Sequence, residues 1–241
     1  MSGHSKWSTI KRKKAAIDAS RSKVFQKLAR EIYVFAKQGD KDPKNNPNLR
    51  MIIEKARSFN MPLDNIQRAI DKAHGSAASG ESYESIRYEG YGPAGIAVMV
   101  DVLTDNRNRT AAQIRATFTK YGGNLGTDGS VSYLFEKRGT IVIPNTYDED
   151  KIMMNVIENG ALDFHYDGEN CEIITNPEDF INVKEGLSKL GVEEYIVSEV
   201  SYVPKVAIEV DQKSYEKVNN LLEALDELDD VQDVYHNMKE L

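Results

Sequence analysis

Apolar residues recur at helical intervals in the first third of the chain. From Ile17 onward, Val24, Phe25, Leu28, Ile32 and Phe35 share one face of a helix turning about 100° per residue. Gly39 predicts its end, and Asp42-Pro43 to Asn46-Pro47 predicts a loop. Pro47 is a natural first-turn residue and opens a second helix with Leu49, Ile52, Ile53 and Ala56, closed near Asn60. Pro62 opens a third, with Leu63, Ile66, Ala69 and Ile70, and Gly75 stops it. Ser76–Gly80 is a small-residue linker. Residues 1–80 are thus expected to form a helical bundle.

Beyond the linker the period shifts, and strands alternate with helices. Strands are expected at Gly95–Leu103, Ser130–Glu136 and Gly139–Ile143, with a helix at Thr110–Tyr121. A helix at Asp148–Asn159, a hairpin around Asp167-Gly168, a helix at Pro177–Leu190 and a strand at Glu194–Tyr202 follow. From Gly139 to Tyr202 the order is β-α-β-β-α-β, a ferredoxin-like split unit. Residues 83–136 read as β-α-β. Residues 205–237 read as another, with strands Val206–Val210 and Val231–Tyr235 flanking a helix at Tyr215–Leu228. The predicted fold is α+β: a bundle plus two ferredoxin-like domains, one inserted in the other. The middle domain is residues 81–138 plus 205–241, and the inserted domain is 139–204.

Charge changes the picture more than composition does. The 241 residues carry a net charge of −7, but residues 1–80 sum to +10, residues 81–140 to zero and residues 141–241 to −17. Such asymmetry suggests one end that binds polyanions and one that repels them; the alternative is that the two ends attract each other. Lys23, Lys27, Arg30 and Lys37 fall within an arc of roughly 80° opposite the apolar stripe. Lys6, Lys11, Arg12, Lys13 and Lys14 surround the lone Trp7, with Arg21 further along. Cations can position on phosphates and an indole can stack on an unpaired base. The alternative is a Trp7 docked on the bundle amid solvated lysines. The longest apolar run, Ile96–Val100, cannot span a bilayer, and the basic N-terminus lacks the apolar core of a secretory signal. A single cysteine, Cys171, excludes an internal disulfide framework. The chain reads as cytoplasmic.

No catalytic constellation is visible: the histidines are scattered, and Cys171 sits in an expected strand as a small core residue. Gly90-Tyr91-Gly92-Pro93-Ala94-Gly95 fits G-x-G-x-x-G, but it precedes a strand and contains proline, so a tight turn is expected and not a dinucleotide site. Arg107, Asn108, Arg109 and Thr110 stand where a strand meets a helix and form a candidate secondary anion or contact site. Asn108 or Thr110 could cap that helix. Two arginines there oppose the helix dipole, so Asp105, another acidic neighbour or a bound phosphate should offset them. The glycine-rich loop Tyr121–Gly129 lacks the Lys-Ser/Thr pair of a phosphate-cradling loop. Turn geometry is the default, and a backbone contact surface the alternative. Glu223, Asp226, Glu227, Asp229 and Asp230 read as a solvated acidic face.

Four stretches carry a family resemblance: Ser2-Gly3-His4-Ser5-Lys6-Trp7 with Ile10-Lys11 and Lys14-Ala15-Ala16; Arg87 to Pro93; Leu103 to Thr110; and Gly122 to Val131. The chain resembles the YebC/PmpR family, which also includes the mitochondrial translational activator of cytochrome oxidase. The resemblance implies three domains with the acidic one inserted in the middle one, a bacterial cytoplasmic protein, no cofactor and no catalysis. It implies either a DNA-binding transcriptional regulator on promoter DNA, or a ribosome-associated translation factor on ribosomal RNA that helps synthesis through stretches such as consecutive prolines. The expected partner is nucleic acid. A basic protein is a further candidate for the acidic domain, and neither a membrane nor a small-molecule substrate is expected.

Overall fold

A computed structural model describes the backbone of residues 6–75 and 82–239 and the side chains from Arg21 onward. Three helices come first: α1 (Lys6–Gln38), α2 (Pro47–Ser58) and α3 (Leu63–His74). Their apolar stripes meet as the spacing predicts. Leu28 and Ile32, Leu49 and Ile52, and Ile66 and Ile70 are buried in one cluster. Asn46 shapes the first corner: its side-chain oxygen accepts the Leu49 N–H, and its amide donates to the carbonyls of Phe35 and Asp40. Asn60 turns the chain toward α3 with a φ of 57°, a conformation asparagine tolerates. One expectation changes. The first helix begins not at Ile17 but at Lys6, so Lys11 to Lys14 lie on it.

The predicted β-α-β-β-α-β order is realised by β4 (Phe135–Pro144), α5 (Glu149–Glu158), β5 (Ala161–Tyr166), β6 (Asn170–Thr175), α6 (Phe180–Lys189) and β7 (Val197–Pro204). The strands form an antiparallel sheet of order β5-β6-β4-β7, so each helix connects strands that skip a neighbour. Ile141, Ile143 and Ile173 face Ile152, Val156, Phe180 and Leu187 across one core. Gly139 lies within β4, where a Cβ would collide with Thr175 Oγ1 and the Phe180 side chain.

The other sheet joins distant segments: β1 (Glu84–Tyr91), β2 (Ala97–Thr104), α4 (Arg107–Lys120), β3 (Asn124–Leu125), α7 (Gln212–Asp226) and β8 (Val231–His236). Its order is β3-β1-β2-β8. Val98, Val100 and Val102 face Ile114 and Phe118 of α4 and Leu221 and Leu225 of α7. Two expected strands differ. Val206–Val210 makes only an isolated bridge, Ile208 with Met238, because β1 pairs along β2 and fills that slot in the sheet. Ser130–Glu136 instead holds a short 3₁₀ turn, Ser132–Leu134, running into β4. The cause is Glu89, whose buried carboxylate accepts the N–H groups of Gly129 (3.0 Å), Val131 (2.7 Å) and Ser132 (2.7 Å). Those donors are then lost to a sheet ladder. The fold is α+β, with N-terminal helices and two four-stranded antiparallel sheets. The bundle docks through α2 on β7, which also meets β8.

Candidate nucleic-acid interface

The carboxyl half of α1 crosses the end of α7. Lys23 Nζ donates to the Glu227 carbonyl (2.5 Å) and to its carboxylate (2.8 Å). Lys27 Nζ donates to the Asp226 carbonyl (2.7 Å) and carboxylate (3.2 Å). Arg30 reaches the carbonyls of Asp229 (2.9 Å) and Leu103 (3.4 Å) and the carboxylate of Asp230 (3.4 Å). A helix end leaves carbonyls without intrahelical partners and carries partial negative charge, so it favours cations on both counts. Three of the four cations in the expected basic stripe therefore hold α1 to its surroundings, Lys23 and Lys27 at the end of α7 and Arg30 at the turn after it and at β2. Asp226, Glu227, Asp229 and Asp230 are correspondingly not a purely solvated face. Lys37 lies apart: it donates to Tyr33 Oη (3.1 Å) and stands 5.3 Å from that ring's centre, as Lys72 does at 5.4 Å. Arg21 is exposed. Lys6, Trp7, Lys11, Arg12, Lys13 and Lys14 have side chains outside the described residues.

Arg107 to Thr110 open α4, where the cap is Asn106 and not Asn108 or Thr110: the Asn106 side chain accepts the Arg109 N–H. The offsetting anion is internal. Asp230 accepts from Thr110 Oγ1 (2.6 Å), Arg109 Nη2 (2.7 Å) and Thr104 Oγ1 (3.0 Å), and Arg109 also pairs with Asp105 at 2.8 Å. Burial by itself would raise the Asp230 carboxyl; hydrogen bonds from Arg109, Thr110 and Thr104 outweigh it and hold the group below its usual range. Thr110 is buried in this network, while Arg107 and Asn108 are exposed. The loop Tyr121–Gly129 has a structural anchor in Glu89. Gly90 and Gly123 add close backbone approaches, each leaving no room for a Cβ beside Phe118.

A polar junction that the sequence did not reveal lies where the bundle meets both sheets. Lys55 of α2 pairs with Asp233 of β8 at 2.7 Å. Glu31 of α1 and Glu199 of β7 share its field, and Asp101 of β2 acts on Glu31. Burial pushes the Glu31 carboxyl up to about 7; Lys55 opposes the shift, and Asp233, Glu199 and Asp101 add to it. Arg87 binds Asp101 twice, at 2.7 and 2.9 Å, and stacks 4.2 Å above the Tyr202 ring centre. The only sequence signal was the charge asymmetry, which marks that the ends attract but not which residues meet. Cys171 is buried and its thiol is pushed up to about 12, so it is no poised nucleophile. Among the described residues no group of three His, Cys, Asp or Glu is placed to hold a metal ion, and no helix is long and apolar enough to cross a membrane.

These features define a class: an α+β protein in which a helical bundle is fastened by ion pairs to two split β-α-β sheets. Family comparison then gives the particular one. Residues 5–76 match the TACO1/YebC protein N-terminal domain, and residues 83–238 match the TACO1/YebC second and third domain. The chain belongs to the TACO1/YebC family. It is 48% identical to a protein of Rubrobacter xylanophilus over 98% of this chain and 95% of that one. It is 50% identical to one of Geobacillus kaustophilus over 100% and 98%. Both relatives are described as probable transcriptional regulatory proteins. A crystal structure of a conserved hypothetical protein from Aquifex aeolicus superposes with a TM-score of 0.79 at 46% identity, covering 93% of this chain and 92% of that one.

Proposed function

We propose that this chain is a non-catalytic, nucleic-acid-binding regulator of gene expression in the cytoplasm, acting as a DNA-binding transcriptional regulator. The observation that carries the reading is the division of α1. Lys23, Lys27 and Arg30 hold the end of α7 and the turn after it, while the sequence of residues 6–21 carries six cations against the single carboxylate of Asp18. Phosphate contact is assigned to Lys6, Lys11, Arg12, Lys13, Lys14 and Arg21, with Lys37, Arg107 and Asn108 as secondary contacts. The description shared by the two bacterial relatives supports the regulator role. The reading treats residues 1–80, 81–138 plus 205–241, and 139–204 as the three domains. A second reading, a ribosome-associated factor on ribosomal RNA, is favoured by Trp7, whose indole among lysines suits an unpaired base.

The test is to cross-link the protein to nucleic acid in bacterial cells and sequence what is recovered, with Lys11→Glu/Lys14→Glu as the control. Reads at a few promoters, lost in the control, support the first reading. Reads concentrated in ribosomal RNA replace it with the second. In vitro, about six engaged phosphates predict that log affinity for duplex DNA falls against log salt with a slope near −5. A flat salt response overturns both.

A further inference from the structure

The sheet built from β4 to β7 has two unlike edges. β7 packs on the bundle and on β8, whereas β5 has β6 as its one partner and ends the sheet. Beside that outer edge lies α5, whose Ile152 and Val156 fill the core. The rest of its apolar side chains point away from the core: Met153 is 38% exposed, Met154 61% and Ile157 60%. Ile157 follows Met153 and Met154 by four and three positions, so the three share one helix face. Leu162, 52% exposed, sits at a bulge in β5, the strand that α5 packs against. Three large apolar side chains on one face of α5, with Leu162 exposed on the edge strand beside it, are more than single apolar residues scattered over a surface.

Charge narrows what can cover this cluster. Exposed Glu149, Asp150, Glu158 and Asp163 rim it. Residues 139–204 hold fourteen carboxylates against three lysines. Of those lysines, Lys184 is bound to Glu54 and Lys151 pairs within its own helix with Asp148. Nucleic acid and anionic lipid would meet like charge. A two-fold dimer through this patch would set the same carboxylates against each other. Added strands are disfavoured at this edge, because the bulge interrupts β5 and the Asp163 side chain accepts the Phe164 N–H. Methionines on an exposed helix adapt to varied apolar partners.

We propose that α5 and the bulged edge of β5 form a docking surface for a basic amphipathic helix of a partner protein, its apolar stripe on Met153, Met154, Ile157 and Leu162 and its cations on the acidic rim. The probe is an 18-residue Leu/Lys peptide with leucines at helical spacing, compared with a peptide of the same composition in scrambled order. The full chain should bind the helical peptide at least tenfold more tightly. Met154→Glu/Ile157→Glu, which alters only exposed positions and leaves circular dichroism unchanged, should abolish that preference. Equal binding of the two peptides, or a preference that survives the variant, overturns the proposal. A photocrosslinker at Met153 in cells supplies a second test: a cross-link to a basic amphipathic segment of another protein supports the surface. A cross-link to a second copy of this chain, to lipid or to nucleic acid, or no cross-link, overturns it.

Discussion

Charge reversal on α1 tests the clamp against α7 most directly. Lys23→Glu with Lys27→Glu removes four hydrogen bonds, two to carbonyls at the end of α7 and two to the carboxylates of Asp226 and Glu227. It also sets two anions against the negative end of a helix. An exposed ion pair contributes about 0.5 kcal/mol and a cation at a helix C-terminus about 0.3–1 kcal/mol, and reversal turns each attraction into repulsion. The double variant should therefore lose about 2–4 kcal/mol of stability. Lys27 should account for the larger share, since its side chain is 12% exposed against 27% for Lys23.

Urea titration followed by far-ultraviolet circular dichroism reads this loss. At 1 M salt, where the screening length is about 3 Å, the loss should fall by half or more. Adding Asp226→Lys and Glu227→Lys should return at least half of the lost stability at low salt. Lysines that served only to contact phosphate would not be rescued from α7. A double reversal costing less than about 0.5 kcal/mol, or a compensating pair that restores nothing, would refute the clamp.

Glu31 predicts a pH dependence. In the folded state its carboxyl holds a proton up to about pH 7, whereas in the unfolded chain it releases it near 4.5, so stability falls as pH rises through that window and levels off above it. The fall is on the order of 3 kcal/mol and should vanish in Glu31→Gln; parallel stability-versus-pH curves for the two proteins would contradict the assignment. Glu89→Ala removes the acceptor of three backbone N–H groups, so it should cost about 3 kcal/mol and accelerate amide exchange at Gly129, Val131 and Ser132. Unchanged exchange at those amides would show that the loop holds itself. Gly139→Ala sets a methyl against Thr175 and Phe180 and should lower stability by about 1–3 kcal/mol in thermal unfolding, where a neutral result would mean that β4 shifts freely.

What could be read from the sequence was local. The stripes of α1, α2 and α3 repeat at the helical period, and Asp167-Gly168 turns the β5–β6 hairpin with Gly168 at a φ of 89°. What could not be read depended on competition between distant segments. Val206, Ile208 and Val210 alternate like a strand, yet β1 holds the place beside β2 that they would need. Tyr133 and Phe135 alternate too, but Glu89 takes the backbone donors before them. The candidate site followed the same rule. The positive end and the negative end were plain in the charge distribution, but no local pattern distinguishes Asp230, which binds Arg30, Arg109, Thr104 and Thr110, from Asp229 beside it.

The clamp also sets what a polyanion would gain from each part of α1. A phosphate that took Lys23 or Lys27 would have to displace Glu227 or Asp226, and each freed carboxylate would gather a salt cation from solution. Cations released from the nucleic acid would then be matched by cations taken up at the end of α7, so those two lysines would add little to the salt dependence that drives non-specific association. Under the proposed function, phosphate contact falls instead on the cations of residues 6–21. On that reading a polyanion engages mainly the amino half of α1, while the carboxyl half orients it by gripping the end of α7. Substitutions at Lys23 or Lys27 would accordingly weaken binding through the placement of α1, leaving the salt slope nearly unchanged, whereas substitutions at Lys11 or Lys14 would lower the slope itself.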